Sequence, residues 1–160
     1  MNIPVVDLSE FLKGDAQQKQ HFVQQLGKAF EETGFVAVKN HTIPAELIER
    51  LYQHVEEFFA LPLSEKKSYE IPGLAGQRGY TSFGQEHAKG FDAPDLKEFF
   101  QFGQEVTDGD PVKSEYPDNV TVHEVPAFTP TLLKAYRAFE HSGNALLQAC
   151  LLYTSPSPRD

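Results

Sequence analysis

The segment Gly34-Phe35-Val36-Ala37-Val38-Lys39-Asn40-His41-Thr42-Ile43-Pro44 constrains the fold of this chain more than any other. Gly34 can take the left-handed conformation that ends a helix. Phe35 to Val38 is a continuous apolar run of strand length, too short for a helix and bounded by turn residues. Asn40 suits a tight turn, and Pro44 suits the first turn of a following helix. The segment thus predicts a helix end, a buried strand over 35–39, a turn and a new helix.

Elements on either side extend this pattern. Ile3 to Val6 reads as a short strand, placed at an edge or a strand start by Pro4, which lacks a donor. Residues 16–33 read as an amphipathic helix, with Phe22, Val23, Leu26, Ala29, Phe30 and Thr33 on one face and Asp15 and Gln18 as a capping box. A second helix is expected over 44–60, with Leu47, Ile48, Leu51, Val55, Phe58 and Phe59 inward. Pro62 to Ser68 reads as one helical turn, with Glu65, Lys66 and Lys67 on a solvated face. Glycines and prolines make 71–79 and 84–95 loops. Short strands are expected over 80–83 and 96–102, and a polar connection over 108–123. Thr129 reads as the cap of a last helix, with Pro130 at its first position and an apolar face of Leu132, Leu133, Tyr136, Phe139, Leu146, Leu147, Cys150 and Leu151. Two prolines bar a helix over Tyr153 to Asp160. That tail is either disordered or not native coding sequence.

Length and charge narrow the function. A chain of 160 residues fits one domain with one core, and its formal net charge is −9. Nucleic acid and anionic membranes both require a basic face, so neither is an expected partner. One cysteine, Cys150, rules out an internal disulfide. The amino terminus shows no signal-peptide pattern, and no apolar stretch approaches about 20 residues, so a cytoplasmic protein is expected.

Two blocks carry a family resemblance. The first is Gly34-Phe35 followed by Asn40-His41-Thr42-Ile43. The second runs Arg78-Gly79-Tyr80, then Gly84 to Lys89, then Pro94-Asp95-Leu96-Lys97-Glu98-Phe99-Phe100-Gln101-Phe102-Gly103. In this order and spacing the chain resembles the isopenicillin N synthase-like family of non-haem Fe(II) oxygenases, most of which use 2-oxoglutarate. The family's "GFxxxxNHGI" segment has a glycine where this chain has Thr42. The resemblance covers residues 1 to about 150. It implies a mixed α/β (α+β) fold: an amino-terminal helical lobe with the flanking strands of a jelly roll, truncated before the catalytic core. Residues 1–152 would be that amino-terminal domain and 153–160 the tail.

The same resemblance implies Fe(II) and 2-oxoglutarate in a full-length parent, and a small-molecule substrate oxidised with O2. The chain itself lacks the residues for either group. It has no His-x-Asp and no Arg-x-Ser, and its one His-x-Glu, His54-Val55-Glu56, lies on a predicted helix, where residues two apart diverge. No catalytic, metal or cofactor residue is therefore expected here. Glu86, His87 and Asp92 share a loop but match no metal spacing. Arg78, Tyr80, Lys97 and Phe99 are the substrate-facing candidates. The resemblance brings Arg78 to the mouth of the jelly roll, where a guanidinium can grip a carboxylate with two parallel hydrogen bonds. The alternative is a surface arginine, a lysine paired with a neighbouring carboxylate and two core aromatics. Two functions remain open: an oxygenase fragment that is inactive alone, or a stand-alone binding module built from the same lobe.

Overall fold

A computed structural model describes residues 2–87, 89–90 and 93–154. The chain divides into two units, Met1–Pro44 with Arg137–Asp160, and Ala45–Tyr136. Among the described residues, no helix is long and apolar enough to cross a membrane.

The first unit opens with β1 (Val5–Asp7), α1 (Leu8–Lys13), α2 (Ala16–Thr33) and β2 (Ala37–Lys39). β1 and β2 pair in parallel, with Val6 opposite Val38. Pairing begins at Val5 rather than Ile3, and the Pro4 carbonyl accepts from Ala37 N at 2.8 Å. The expected capping box forms: Gln18 N donates to Asp15 Oδ1 at 2.9 Å, and Asp15 N donates to Gln18 Oε1 at 3.0 Å. Gly34 ends α2 at φ 73°, in the left-handed region. Asn40 turns the chain at φ 52°, and its amide donates to Asp7 Oδ2 at 2.8 Å. Asp7 also caps α1 and accepts from Ser9 Oγ at 2.6 Å. The Ser9 and Asn40 bonds hold its carboxyl down to a pKa of about 2.

Val6, Leu8, Phe22, Val23 and Leu26 form this unit's core with Ala145 and Ala149 of α5 (Phe128–Thr154). Phe30, expected inward, is exposed. α5 also departs from expectation at its carboxyl end. The helix continues through Tyr153 and Thr154, since the first proline is Pro156 and nothing before it bars a helix. The Tyr153 ring packs so closely on Gly27 that a Cβ there would lie 2.4 Å from it. Residues 155–160 lie outside the described residues.

The second unit contains α3 (Ala45–Phe59), α4 (Leu63–Lys67), β3 (Gly79–Thr81), β4 (Phe99–Gln101), a 3-10 turn at Lys113–Glu115 and the start of α5. β3 and β4 are antiparallel, with Tyr80 opposite Phe100. Both strands are shorter than expected. Leu96 is 90% exposed, and the run from 96 becomes strand only at Phe99. Gly79 sits at φ 79°, bridged to Glu70, and a Cβ on it would fall 2.3 Å from the Tyr69 carbonyl oxygen. Only glycine meets both conditions. The core is aromatic. Phe58 is fully buried, stacked on Phe128 at 4.9 Å and edge-on to Phe100 at 5.0 Å.

Three expectations are corrected in α4 and α5. Lys66 is not on a solvated face: it is 7% exposed. Thr129 is not the cap, because α5 begins at Phe128. Its hydroxyl instead ties the incoming chain, donating to Val120 O and accepting from Val122 N at 3.1 Å. Past Phe128, the most buried face of α5 is the small one, with Ala135, Ser142, Ala145 and Ala149; of the expected apolar face, Leu132, Leu146 and Cys150 pack partly buried against the cores, while Phe139, Leu147 and Leu151 are 55%, 64% and 66% exposed. Small side chains let a helix backbone approach its neighbours closely, which a leucine stripe would prevent.

Candidate functional site

A half-buried carboxylate on β4's approach organises the polar interior of the second unit. Glu98 accepts from Lys66 Nζ at 2.8 Å through Oε2 and at 3.1 Å through Oε1. Lys66 Nζ also donates to the Phe59 carbonyl at 3.1 Å and lies 5.7 Å from the Tyr80 ring centroid. The Tyr80 hydroxyl donates to Glu98 Oε2. Burial alone would raise the Glu98 carboxyl. The bonds from Lys66 and Tyr80, with the Lys66 charge, outweigh it and hold the group below the usual carboxylate range. Burial first, and then the Glu98 carboxylate, push the Tyr80 phenol far above its ordinary range. At neutral pH the set therefore holds Glu98 as a carboxylate and Tyr80 as a phenol. It clamps α4 to β4 and is not poised for proton transfer.

A second, similar anchor lies nearby. Tyr69 donates its hydroxyl to Glu124 and accepts from His123 N at 2.9 Å. Burial, then the Glu124 bond, raise its phenol as well.

The four substrate-facing candidates fall in different surroundings. Arg78 is half-buried. Its Nη1 donates to Gln77 O at 2.7 Å, while Nε is buried without a partner among the described residues. The guanidinium lies against Gly103, where a Cβ would come within 2.4 Å of Cζ. Asn119 fixes that glycine from both sides, accepting from Gly103 N and donating to Gly103 O, each at 2.8 Å. Tyr80 lies in the aromatic core and also borders an open cleft. Lys97 is held by Glu86 at 2.9 Å and Asp95 at 3.2 Å, and those two bonds, Glu86 foremost, raise its ammonium. Phe99 lies under Lys97, whose Nζ is 5.6 Å from the ring centroid, and behind Gly76. Alternation along β4 sends Phe99 and Phe100 to opposite faces, so Phe99 does not join Tyr80 in the core.

Lys66 was not legible as a site residue. The available signal was Glu98 itself, a carboxylate beside two phenylalanines in a strand, which needs a buried cation for company.

The residues present do not fit an iron centre. Among the described residues, no three His, Cys, Asp or Glu side chains converge to hold a metal. Glu86 is engaged by Lys97, His87 lies exposed in a bridge to Pro94, and Asp92 lies outside the described residues. His54 pairs with Glu57 at 3.0 Å, one turn along α3, rather than with Glu56.

Residues 3–124 match the family described as non-haem dioxygenase in morphine synthesis, N-terminal. The chain belongs to this family. The 2-oxoglutarate-Fe(II) type oxidoreductase hxnY of Emericella nidulans is 35% identical over 103 residues, 64% of this chain and 30% of that protein. A 1-aminocyclopropane-1-carboxylate oxidase of Dictyostelium discoideum is 33% identical over 128 residues, 79% of this chain and 31% of that protein. Among solved structures, a 2OG-Fe(II) oxygenase family protein from Caulobacter crescentus superposes with a TM-score of 0.81 at 34% identity, over 94% of this chain and 48% of that chain. A full-length Neurospora crassa protein, solved in complex with alpha-KG, shares the fold with a TM-score of 0.75 at 24% identity, over 94% of this chain and 46% of that chain. The chain thus spans about a third of the curated relatives it matches (30% and 31%) and about half of the Caulobacter structure (48%).

Proposed function

We propose that this chain is the amino-terminal part of an isopenicillin N synthase-like, Fe(II)/2-oxoglutarate-dependent oxygenase that oxidises a small organic substrate with O2. Residues 1–152 belong to its amino-terminal domain, which flanks a jelly-roll core, and α5 carries that domain on through Tyr153 and Thr154. The carrying observation is the match to the Caulobacter oxygenase, which takes in 94% of this chain but 48% of that one. Iron and 2-oxoglutarate belong to the remainder of the enzyme, because this chain's donor set does not fit them. The net charge of −9 supports an enzyme that engages neither nucleic acid nor an anionic membrane surface, and we place it in the cytoplasm.

Alone, the chain should be catalytically silent. Incubation with Fe(II), ascorbate, O2 and 2-oxoglutarate should give no succinate above a protein-free control. Chelator-sensitive succinate from the purified chain would end this reading.

In the same reading Arg78 grips a carboxylate of the substrate. Its unpartnered Nε and its seat on Gly103 support that role. In a full-length enzyme that includes this chain, Arg78→Ala should weaken binding of an acidic substrate about ten- to a hundredfold and leave iron affinity unchanged. An unmoved KM would make Arg78 a surface residue.

A further inference from the structure

The sheet of the first unit is covered on one face only. β1 and β2 are parallel, and among the described residues no third strand joins them. Val6, Val36 and Val38 turn to the core. The register sets Val5 beside Ala37 on the other face, and both are exposed. Two-residue alternation carries this side back to Ile3 and Phe35. Ile3, Val5 and Phe35 are each more than half exposed. A Lys39–Asp7 ion pair at 3.5 Å closes the far end of the face. Purely parallel sheets are as a rule covered on both faces, and two strands alone are marginal in water. An outer face of isoleucine, valine, phenylalanine and alanine, beside open strand edges, therefore lacks its cover.

We propose that this face is the surface on which the carboxyl-terminal remainder of the oxygenase docks, through an apolar segment that ends in polar residues beside the Lys39–Asp7 pair. The proposal rests on the oxygenase reading above. The matched family is an N-terminal one, and the Caulobacter oxygenase superposes on 94% of this chain with 48% of its own, so more than half of such an enzyme is available to cover the face. A second copy of this chain fits less well. A stable interface between separate proteins takes roughly 20–30 residues a side, and this face is a few side chains wide. A partner in the same polypeptide needs far less area, because linkage holds it at a high effective concentration.

Hydroxyl-radical footprinting tests it on the 160-residue chain and on a full-length enzyme that includes this chain, with the dose matched by added free phenylalanine. Phe35 should be labelled freely in the chain and be protected severalfold in the enzyme. Phe35→Ser should leave the urea midpoint of the chain unchanged, as an exposed substitution does, and lower that of the enzyme. Equal labelling in the two proteins, or a midpoint that falls equally in both, would overturn the proposal. So would protection of Phe35 in the chain by itself, growing with concentration, which would give the face to a second copy. Should Phe35→Ser keep the enzyme from folding, the labelling of the unmodified proteins still decides. Succinate formation by the unmodified enzyme separates the two readings. Succinate with Phe35 still labelled overturns the docking and keeps the oxygenase, whereas a protected Phe35 without succinate keeps the docking and overturns the oxygenase.

Discussion

Lys66→Met should destabilise the Ala45–Tyr136 unit by about 3 kcal/mol, the lower end of the cost of breaking a buried ion pair. Lys66 is 7% exposed and its partner Glu98 has a side chain 18% exposed, so that carboxylate keeps some access to water. Loss of the ammonium leaves Glu98 with the Tyr80 hydroxyl as its one remaining side-chain partner among the described residues. The double variant Lys66→Met/Glu98→Leu should recover most of the loss. Buried pairs replaced by apolar residues of similar volume are often neutral. It should still fall short by about 1 kcal/mol, because the Tyr80 hydroxyl loses its acceptor. Urea unfolding of the four corners of this cycle checks the claim. A single variant within about 0.5 kcal/mol of the parent chain, the range of ordinary surface changes, would return Lys66 to the surface.

Phe58→Ala should cost about 3–5 kcal/mol, the usual range for a large aromatic removed from a core. Phe58 has no exposed surface and meets five other rings, Phe59, Tyr69, Tyr80, Phe100 and Phe128, at centroid distances of 4.9 to 6.1 Å. The two tyrosines cannot swing in to close the void, because each is also held elsewhere: Tyr80 by Glu98, Tyr69 by Glu124. Phe58→Leu should cost far less, under about 1.5 kcal/mol. Denaturant midpoints at unchanged slope would separate the two, and equal losses for Ala and Leu would remove Phe58 from the centre of the core.

Local chemistry was legible, and distant partnership was not. The Asp15–Gln18 box, the Gly34 stop and the Asn40 turn depend on neighbours a few residues away, and each appears where the sequence places it. Lys66 could not be read this way. Its partner lies 32 residues on, and its own neighbours look like a solvated face. The face of α5 was misread for a related reason. Periodicity marks the large apolar residues, but how closely the backbone approaches its neighbours decides whether leucine or alanine goes inward, and that distance is a tertiary property. At the candidate site, Arg78 and Tyr80 were picked out by motif. The burial of Arg78 Nε depends on what surrounds it in three dimensions.

The division of the chain has a consequence for its synthesis. The Ala45–Tyr136 unit is continuous in sequence and holds all its core residues when Tyr136 is made. The other unit is not: Val6, Leu8, Phe22 and Leu26 wait for Ala145 and Ala149, and the Thr42 and Ser142 hydroxyls that bond at 2.8 Å are 100 residues apart. At about 5–20 residues per second, that gap leaves the amino-terminal strand and helices without their partner for roughly 5–20 s. The residues of β1 and α2 are thus made well before the ones that bury them, and through that interval α2 depends on its own caps.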